Sequence, residues 1–552
     1  MSDDSFVRDR LPPPSAQPDF LFDLPELHYP ARLNAAVELV DRAVLEGDAD
    51  LPAVVNAHGR WTYADLKEMS DRIARLLVEQ EGLVPGNRVL LRGPNGATLF
   101  AAWLGILKAG GVAVATMPML RPAEIATVLE RAQISHAIVD SRFIGDYRDG
   151  AAQAGTVRSL LRYDGDYGRG ELEGRLKDVA PHFAPVDTSA EDVALIAFTS
   201  GTTGRPKGCV HFHRDVLAPA DTFARHIVRP RAGDVWTCSA PIAFTFGLGM
   251  QLIFPLRFRG TAVTLERTTP PELLQAIERF GINVLGTAPT AYKAMLSLLR
   301  APAQAGAQAS AENRLLLAQE HASLRICVSA GEHMPEATWR AWHERTGLEI
   351  IDGIGATEMM HIFISASGED IRPGATGRAV PGYRACILDE GGKPLPHGTG
   401  RLAVKGPTGC RYLADERQAD YVQDGWNVTG DTYHQDEEGY FRYIARSDDM
   451  IVSSGYNIAA PEVENALLSH PAVAECAVIG VPCEERGQRV KAFVVPAPPH
   501  GAGEALAEML KAHVKEAIAP YKYPRDIAFV EALPRTATGK LQRHALRGEP
   551  LT

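Results

Sequence analysis

The hydrophobic pattern of the chain alternates between runs typical of buried strands and runs typical of buried helices. The apolar run NRVLLRG at 87–93 predicts a strand, and ATLFAAWLGILKAG at 97–110 predicts a helix. The rhythm continues with a strand at 111–117, a helix at 122–132 and a strand at 136–140. Strands that alternate with helices in this way predict mainly parallel sheets covered by helices, which is an α/β fold.

The pattern changes twice toward the C-terminus. After residue 375, short strand-like segments separated by turns rich in Gly and Asp predict a small β-rich section. From residue 446 onward the pattern predicts a compact α+β unit, with helices at 461–470 and 503–518 and strands at 473–482 and 491–497.

A polar turn at 446–449 separates the β-rich section from the α+β unit that follows it. We therefore predict two domains, a large N-terminal one at 1–445 and a small C-terminal one at 450–552. The length agrees with this division, because 552 residues are too many for one ordinary core.

Composition excludes several classes of protein. With 45% hydrophobic and 23% charged residues, the chain is typical of a globular protein and not of a disordered one. The net charge of −11 argues against a nucleic-acid binder, which needs a basic surface, but not against a protein that binds nucleotides.

The cysteines and the N-terminus bear on the compartment. Seven cysteines without a CxxC spacing favour free thiols in a reducing environment. The acidic start of the chain has no apolar segment, and the most apolar stretch, 99–120, is interrupted by a lysine, two glycines and a proline. We therefore expect a cytoplasmic protein with neither a signal peptide nor a membrane span.

The most informative segment is the loop TSGTTGRPKG at 199–208, which follows an apolar strand at 193–198. Its free backbone N–H groups and the charge of Lys207 favour a phosphate as the ligand. It is not a Walker loop, because that motif would need a glycine where Pro206 stands and a serine or threonine where Gly208 stands.

This loop is similar to the phosphate loop of the adenylate-forming enzymes, a superfamily that includes acyl- and aryl-CoA ligases. Four further segments resemble the family in the same order, namely DGIGATEM (352–359), GWNVTGD (425–431), ARSDDMIVSSGYNIAAPEVE (445–464) and PRTATGKLQRHALR (534–547). Because the order and spacing match from about residue 35 to residue 550, the chain is identified as a member of this superfamily.

The resemblance implies a reaction in two steps. An acid and ATP would give an acyl-AMP and pyrophosphate, and a thiol would then take the acyl group and release AMP. The implied cofactors are ATP and Mg²⁺, with CoA as the co-substrate. Positive charge is needed at the reacting centre, because an anionic carboxylate must approach an anionic triphosphate.

The family's binding roles carry over residue by residue. The resemblance implies that the β- and γ-phosphates are held by Thr199, Ser200, Gly201, Thr202, Thr203, Gly204 and Lys207. It implies that the adenine lies along Gly331, Glu332, Asp352 and Gly353. Glu358 would bind Mg²⁺, and Thr357 would reach the α-phosphate. Asp431, assisted by Arg446, would accept hydrogen bonds from the ribose hydroxyls.

The C-terminal segments imply motion between the two steps. Lys540 would bridge the carboxylate and the α-phosphate oxygens while the adenylate forms. Asp448 stands at the hinge, 446–449, about which a mobile C-terminal domain would swivel. The second orientation would present the loop 453–457, whose Gly455 would line a narrow tunnel for the pantetheine arm of CoA.

Two segments indicate the acid. AFTFGLG (243–249) resembles the family's carboxylate-pocket segment, so Phe246 would offer an aromatic wall while Gly247 and Gly249 leave flat space beside it. ATEMMHIFIS (356–365) resembles benzoate- and aminobenzoate-CoA ligases, and it implies that His361 and Ile362 touch an aromatic ring. We therefore predict an aryl-CoA ligase for a small aromatic acid of the 2-aminobenzoate or benzoate type.

Other functions stay open at this point. The chain could load a carrier protein instead of CoA, or it could activate small or medium-chain alkanoates. A regulatory nucleotide-binding protein is disfavoured, because Lys540, Asp431 and Glu358 occur together. A homodimer also stays open, and neither a nucleic acid nor a membrane is expected as a partner.

Overall fold

The computed structural model describes residues 3–166, 170–199, 206–299, 323–446, 450–453, 456–483, 487–518, 520–535 and 541–548. It confirms an α/β fold with two large, mainly parallel sheets in the N-terminal part. The strands of these two sheets are β1 (Pro52–Asn56), β2 (Gly59–Thr62), β3 (Arg88–Arg92), β4 (Val112–Thr116), β5 (His136–Asp140), β6 (Ser159–Tyr163), β7 (Val193–Thr199), β8 (Lys207–Phe212), β9 (Val235–Cys238), β10 (Thr261–Val263), β11 (Val284–Thr287), β12 (Ile326–Ser329), β13 (Ile350–Gly355), β14 (Ile362–Ser365) and β15 (Arg378–Ala379).

The first sheet has the order β6-β5-β3-β4-β7-β8, and only its last pair, β7 with β8, is antiparallel. The second sheet has the order β15-β14-β13-β12-β11-β9-β10-β1-β2. Its central strands are parallel, and antiparallel pairs occur at its two ends. In parallel sheets, ligands bind beyond the carboxyl ends of the strands, which places a site beyond β7, β12 and β13.

Helices cover both sheets. In chain order they are α1 (Arg42–Leu45), α2 (Tyr63–Glu79), α3 (Ala97–Lys108), α4 (Pro122–Ala132), α5 (Ile144–Ala154), α6 (Glu171–Leu176), α7 (His213–Pro219), α8 (Thr245–Leu248), α9 (Phe254–Arg257), α10 (Pro270–Phe280), α11 (Pro289–Leu298) and α12 (Glu336–Thr346). Two π-helical segments, Ala220–Val228 and Gly249–Ile253, continue α7 and α8.

The burial of α3 follows from its sequence. Every residue from Ala97 to Lys108 is buried, as expected for a helix that is apolar on all sides. The one charge within it, Lys108, forms ion pairs of 2.5 Å with Asp41 and 2.7 Å with Asp71, so the ammonium group is not left unpaired in the core.

The β-rich section predicted after residue 375 is confirmed as a third, antiparallel sheet. Its elements are β16 (Arg384–Leu388), β17 (Pro394–Leu395), β18 (Gly398–Lys405), α13 (Gln418–Tyr421), β19 (Val422–Gln423), β20 (Trp426–Gln435) and β21 (Phe441–Arg446). The order is β17-β16-β18-β20-β19, and β21 also pairs with β20.

The C-terminal unit has a sheet and a core of its own. Its elements are β22 (Met450–Ser453), β23 (Tyr456–Ala459), α14 (Ala460–Leu468), β24 (Val473–Cys483), β25 (Gly487–Pro496), α15 (Glu504–Ala517), β26 (Asp526–Phe529) and α16 (Arg543–Gly548). The sheet has the order β23-β22-β25-β24, with β26 beside β25. Ile451, Val463, Val478 and Leu510 lie in one buried cluster, as expected for a separate small core.

One boundary prediction was wrong in this unit. The second strand was expected at 491–497, yet β25 begins at Gly487. The first residues of β25 are polar, so the hydrophobic pattern does not predict that they form a strand. They do so because they pair with β24 as far as Cys483. In the described part of the chain, no helix is both long and apolar enough to cross a membrane.

Candidate functional site

The glycine-rich loop is the tip of the β7–β8 hairpin. Thr199, the last residue of β7, pairs with Lys207, the first residue of β8. The hydroxyl of Thr199, at the base of the loop, is buried and has no hydrogen-bond partner among the residues that the structure describes. The predicted phosphate ligands Ser200, Gly201, Thr202, Thr203 and Gly204 lie outside the described residues.

Lys207 and Glu358 meet through a third residue. The Nζ of Lys207 lies 3.5 Å from Oε1 of Glu358 and donates a 2.6 Å hydrogen bond to the hydroxyl of Tyr412. The same hydroxyl donates a short hydrogen bond to Oε1 of Glu358. Burial and the Glu358 carboxylate raise the pKa of Tyr412 well above its ordinary value, so the phenol stays protonated and donates.

Sequence reasoning did not identify Tyr412 as a site residue. It lies on segment 410–413, which pairs with β8 even though it is about two hundred residues away in the chain: Val210 N–H donates to Arg411 O, and Leu413 N–H donates to Gly208 O. The sequence around residues 410–413 has no local feature that indicates this pairing.

The turn that carries Thr357 and Glu358 is held from β8. His211 Nε2 donates a 2.8 Å hydrogen bond to the carbonyl oxygen of Thr357. Burial lowers the pKa of His211, so its imidazole is neutral, and its Nδ1 lies 4.0 Å from the buried carboxylate of Asp215. Asp215 in turn forms a fully buried 2.7 Å ion pair with Arg411.

The donor set around Glu358 fits Mg²⁺ that arrives bound to a nucleotide. No cluster of three or more His, Cys, Asp or Glu side chains that could hold a metal occurs among the described residues. The single carboxylate of Glu358, beside Lys207 at the base of the glycine-rich loop, suits Mg²⁺, which commonly binds one or two carboxylates together with phosphate oxygens and water. It does not suit a metal held by protein ligands alone.

The four residues predicted for adenine lie within β13 and just beyond the carboxyl end of its parallel neighbour β12. Asp352 of β13 is in register with Ser329, the last residue of β12, and Gly331 and Glu332 follow β12 after one intervening residue. Gly331 has a φ of +92°, a conformation that favours glycine. The Oδ1 of Asp352 is buried without a hydrogen-bond partner among the described residues, and burial raises the pKa of this carboxyl from 3.8 to about 7.

Asp431 and Arg446, predicted to act together on the ribose, are cross-strand partners on β20 and β21. Tyr433 lies near both this pair and the adenine end. Burial raises the pKa of Tyr433, and the charges of the Asp431 and Asp352 carboxylates raise it further. The predicted adenine and ribose residues therefore lie at one end of the site, with Glu358 carried a few residues beyond β13.

His361 lies in a box of aromatic rings just after the Glu358 turn. Its ring centroid is 5.3 Å from that of Phe223, 5.5 Å from that of Phe246 and 4.7 Å from that of Phe254. Burial lowers its pKa to about 3, against a smaller opposite effect of the Phe246 backbone, so the imidazole is neutral. Among the described residues, neither ring nitrogen has a partner at hydrogen-bond geometry. Phe246 is the half-buried member of this set.

The predicted role of Gly247 and Gly249 in the acid pocket was wrong. We predicted that Gly247 and Gly249 leave flat space for a substrate, but protein atoms fill the space beside each. A Cβ on Gly249 would lie 2.5 Å from Cδ2 of His361, and a Cβ on Gly247 would lie 2.2 Å from the carbonyl oxygen of Pro241. The glycines therefore allow close packing of His361 and of the chain at Pro241.

Ile362 is buried, and its side chain packs against a different residue from those around His361. A Cβ on Gly353 would lie 2.6 Å from Cγ2 of Ile362, so this side chain packs against β13, on the nucleotide side of the pocket. His361 and Ile362 therefore line two sides of the β13–β14 connection.

Besides the five residues of the glycine-rich loop, three further predicted residues lie outside the described residues: Asp448, Gly455 and Lys540. The two ends of the segment that carries Lys540 are described. Arg535 and Leu541 form an isolated antiparallel bridge, and Arg535 also forms a 2.7 Å ion pair with Glu475 of β24. The side chain of Arg446 is likewise not described.

Two family models match this chain. The AMP-binding enzyme model covers residues 41–412, and the model of the AMP-binding enzyme C-terminal domain covers residues 462–540. The chain is also 37% identical to a benzoate–CoA ligase from Thauera aromatica over 95% of this chain and 97% of the relative.

Solved structures agree with this assignment. An anthranilate CoA ligase in complex with anthranoyl-AMP superposes with a TM-score of 0.86 at 32% identity, covering 95% of this chain and 98% of that one. A benzoate CoA ligase from Burkholderia xenovorans LB400 superposes with a TM-score of 0.83 at 34% identity, covering 93% of this chain and 100% of that one. Together with the large N-terminal part, the small C-terminal unit and the pairing of β12 with β13 and of β20 with β21, these matches show that the chain belongs to the AMP-binding enzyme family.

Proposed function

We propose that this protein is an AMP-forming aryl-CoA ligase. It activates a small aromatic carboxylic acid with ATP as an aroyl-AMP, called aryl-AMP below, releases pyrophosphate, and transfers the aroyl group to the thiol of CoA with release of AMP. The observation that carries the proposal is the connection between β13 and β14, which places the carboxylate of Glu358 three residues before His361 and its aromatic box.

The phosphate end of the site supplies fixed charge for the first step. Lys207 and the glycine-rich loop, from Thr199 to Gly204, hold the β- and γ-phosphates, and Thr357 contacts the α-phosphate. Glu358 would hold Mg²⁺, which neutralises charge on the phosphate oxygens. The nucleoside is held by Gly331, Glu332, Asp352 and Gly353 along the base and by Asp431 and Arg446 at the ribose.

The C-terminal domain, 450–552, serves both steps in two orientations about the hinge at 446–449. Lys540 stabilises the charge that develops between the carboxylate and the α-phosphate in the first step. Rotation at Asp448 then removes Lys540 and brings in the loop with Gly455, beside which the pantetheine arm of CoA reaches the aryl-AMP.

The acid is a single aromatic ring of the benzoate or 2-aminobenzoate type. Phe246 offers apolar contact area, and His361 is a neutral side chain whose ring nitrogens have no hydrogen-bond partner among the described residues. A neutral imidazole has one acceptor nitrogen, which an amino group in the ortho position of the substrate can satisfy. The names of the relatives, a benzoate–CoA ligase and an anthranilate CoA ligase, support the same class of acid.

The test is kcat/KM for AMP release across benzoate, 2-aminobenzoate, 2-hydroxybenzoate, hexanoate and decanoate, with CoA as the acceptor. We expect the aryl acids to lead, and we expect benzoate and 2-aminobenzoate to differ by no more than about 10²-fold. His361→Ala should raise KM for the aryl acids and reduce the preference for a ring position.

Two results would contradict this assignment in different ways. If hexanoate or decanoate were used better than every aryl acid, the aryl pocket would be wrong while the acyl-CoA ligase activity would stand. If aryl-AMP formed but free CoA gave no thioester, the acceptor would be a carrier protein.

A further inference from the structure

Tyr412 lies between the two charged side chains at the phosphate end of the site. It is 1% exposed, and its hydroxyl contacts both the Nζ of Lys207 and Oε1 of Glu358. The contacts described for the Glu358 carboxylate, from Lys207 and from Tyr412, both involve Oε1.

The hydrogen-bonding capacity of a phenol fits this position. A tyrosine hydroxyl has one hydrogen to donate and two lone pairs to accept, whereas an ammonium group can only donate and a carboxylate can only accept. Tyr412 therefore donates to Glu358 and accepts from Lys207, so the hydrogen bonds run in one direction from the cation to the anion. Hydrogen bonds to charged partners are stronger than those between neutral groups.

We propose that Tyr412 is a positioning residue that prepares Glu358 for magnesium-bound ATP. This inference rests on the proposed function. Its hydroxyl fixes Oε1, so that Oε2 is presented to the cation, and it accepts from Lys207, so that the ammonium does not move onto the carboxylate.

Loss of the hydroxyl has a defined consequence. With no phenol between them, Lys207 and Glu358, whose ion pair now spans 3.5 Å, attract one another in a largely buried setting and can close to direct hydrogen-bond contact. Mg²⁺ must then compete with Lys207 for the carboxylate. A charge-assisted hydrogen bond of this kind corresponds to about a ten- to hundredfold change in an equilibrium constant.

The chain offers a matched control next to this residue. Tyr421 packs edge-on against Tyr412 with ring centroids 5.9 Å apart, and Lys207 lies near both rings. The hydroxyl of Tyr421 is buried but has no hydrogen-bond partner in the described part of the chain. Tyr421→Phe therefore removes a buried phenolic oxygen from the same cluster without breaking a contact to Glu358.

The experiment measures ATP binding directly by calorimetry, without acid or CoA, in saturating Mg²⁺ and in EDTA. We expect Mg²⁺ to raise the ATP affinity of the wild type and of Tyr421→Phe by the same factor. In Tyr412→Phe this gain should be at least tenfold smaller, and the binding of AMP should be unchanged. In a Glu358→Gln background, Tyr412→Phe should cause little further loss, because it acts through that carboxylate.

Several outcomes would overturn the proposal. These are an unchanged magnesium effect in Tyr412→Phe, an equal loss in Tyr421→Phe, or additive losses in the Glu358→Gln background. A Tyr412→Phe protein that fails to fold beside a folded Tyr421→Phe would also overturn it, since the hydroxyl would then serve the core. If the wild type bound ATP with Mg²⁺ but used no aryl acid, the proposed function would fail while this inference stood.

Discussion

At the residue scale, Asp352 is the carboxyl whose ionisation the fold changes most clearly within the physiological range. Burial raises its pKa from 3.8 to about 7, and its Oδ1 has no hydrogen-bond partner. A folded-state pKa above the unfolded value means that the folded protein keeps a proton that the unfolded chain has released. Its contribution to stability is therefore present below about pH 4 and is lost as the pH rises through 7.

We expect Asp352→Asn to melt at a higher temperature than the wild type at pH 8 and to lose most of this advantage toward pH 4, because an amide removes the cost of ionising a buried acid. Thermal melting at several pH values between 4 and 8 measures the difference. Asp370→Asn is the control, since that carboxyl is 67% exposed and should give no pH-dependent gain. If the melting temperatures of Asp352→Asn and of the wild type changed with pH in parallel, the pKa of this carboxyl would not differ between the folded and unfolded states.

At the element scale, the hydrophobic pattern predicted the helices and strands whose bounds depend on neighbouring residues. The helix at Pro122–Ala132 and the strand at His136–Asp140 begin and end where the apolar periodicity places them. The pairing of segment 410–413 with β8 could not be predicted, because the hydrogen bonds that hold Tyr412 come from a strand about two hundred residues earlier. The packing of His361 beside Gly249 was missed for the same reason, since sequence spacing does not show what fills the space beside a glycine.

The C-terminal loop that carries Lys540 gives the prediction that belongs to this scale. Its two ends are tied to the C-terminal unit, Arg535 to Glu475 and Arg543 to Glu464, each by a 2.7 Å ion pair. The loop would therefore move with that unit, so Lys540 would act in one orientation only.

We expect Lys540→Ala to lose at least about 10²–10³ in the rate of aryl-AMP formation, the loss typical of one preorganised electrostatic contact. Thioester formation from synthetic aryl-AMP and CoA should be retained. Single-turnover rates of the two half-reactions measure this, with Lys511→Ala as a control, because Lys511 pairs with Glu508 on an exposed face of α15. An equal, large loss in both half-reactions of a folded Lys540→Ala protein would contradict the division of labour.

At the scale of the whole molecule, the predicted site residues come from all three N-terminal sheets, and the C-terminal unit contacts the segment next to them. The first sheet provides Thr199 and Lys207, the second provides Asp352, and the third provides Asp431. Asn465 of the C-terminal unit lies 3.4 Å from His333, next to the predicted adenine residues. A rotation of the C-terminal unit, as proposed, would break this contact while leaving the three sheets unchanged.

In the proposed reaction, the carboxylate of the acid attacks the α-phosphate of ATP, and the thiol then attacks the acyl carbon. An aryl acid labelled with ¹⁸O in both carboxylate oxygens tests this sequence, by mass spectrometry of the nucleotide formed with CoA. We expect AMP that carries one ¹⁸O atom per turnover, with unlabelled pyrophosphate, because the bridging oxygen of aryl-AMP comes from the acid. Unlabelled AMP, or ADP with the label in orthophosphate, would contradict it.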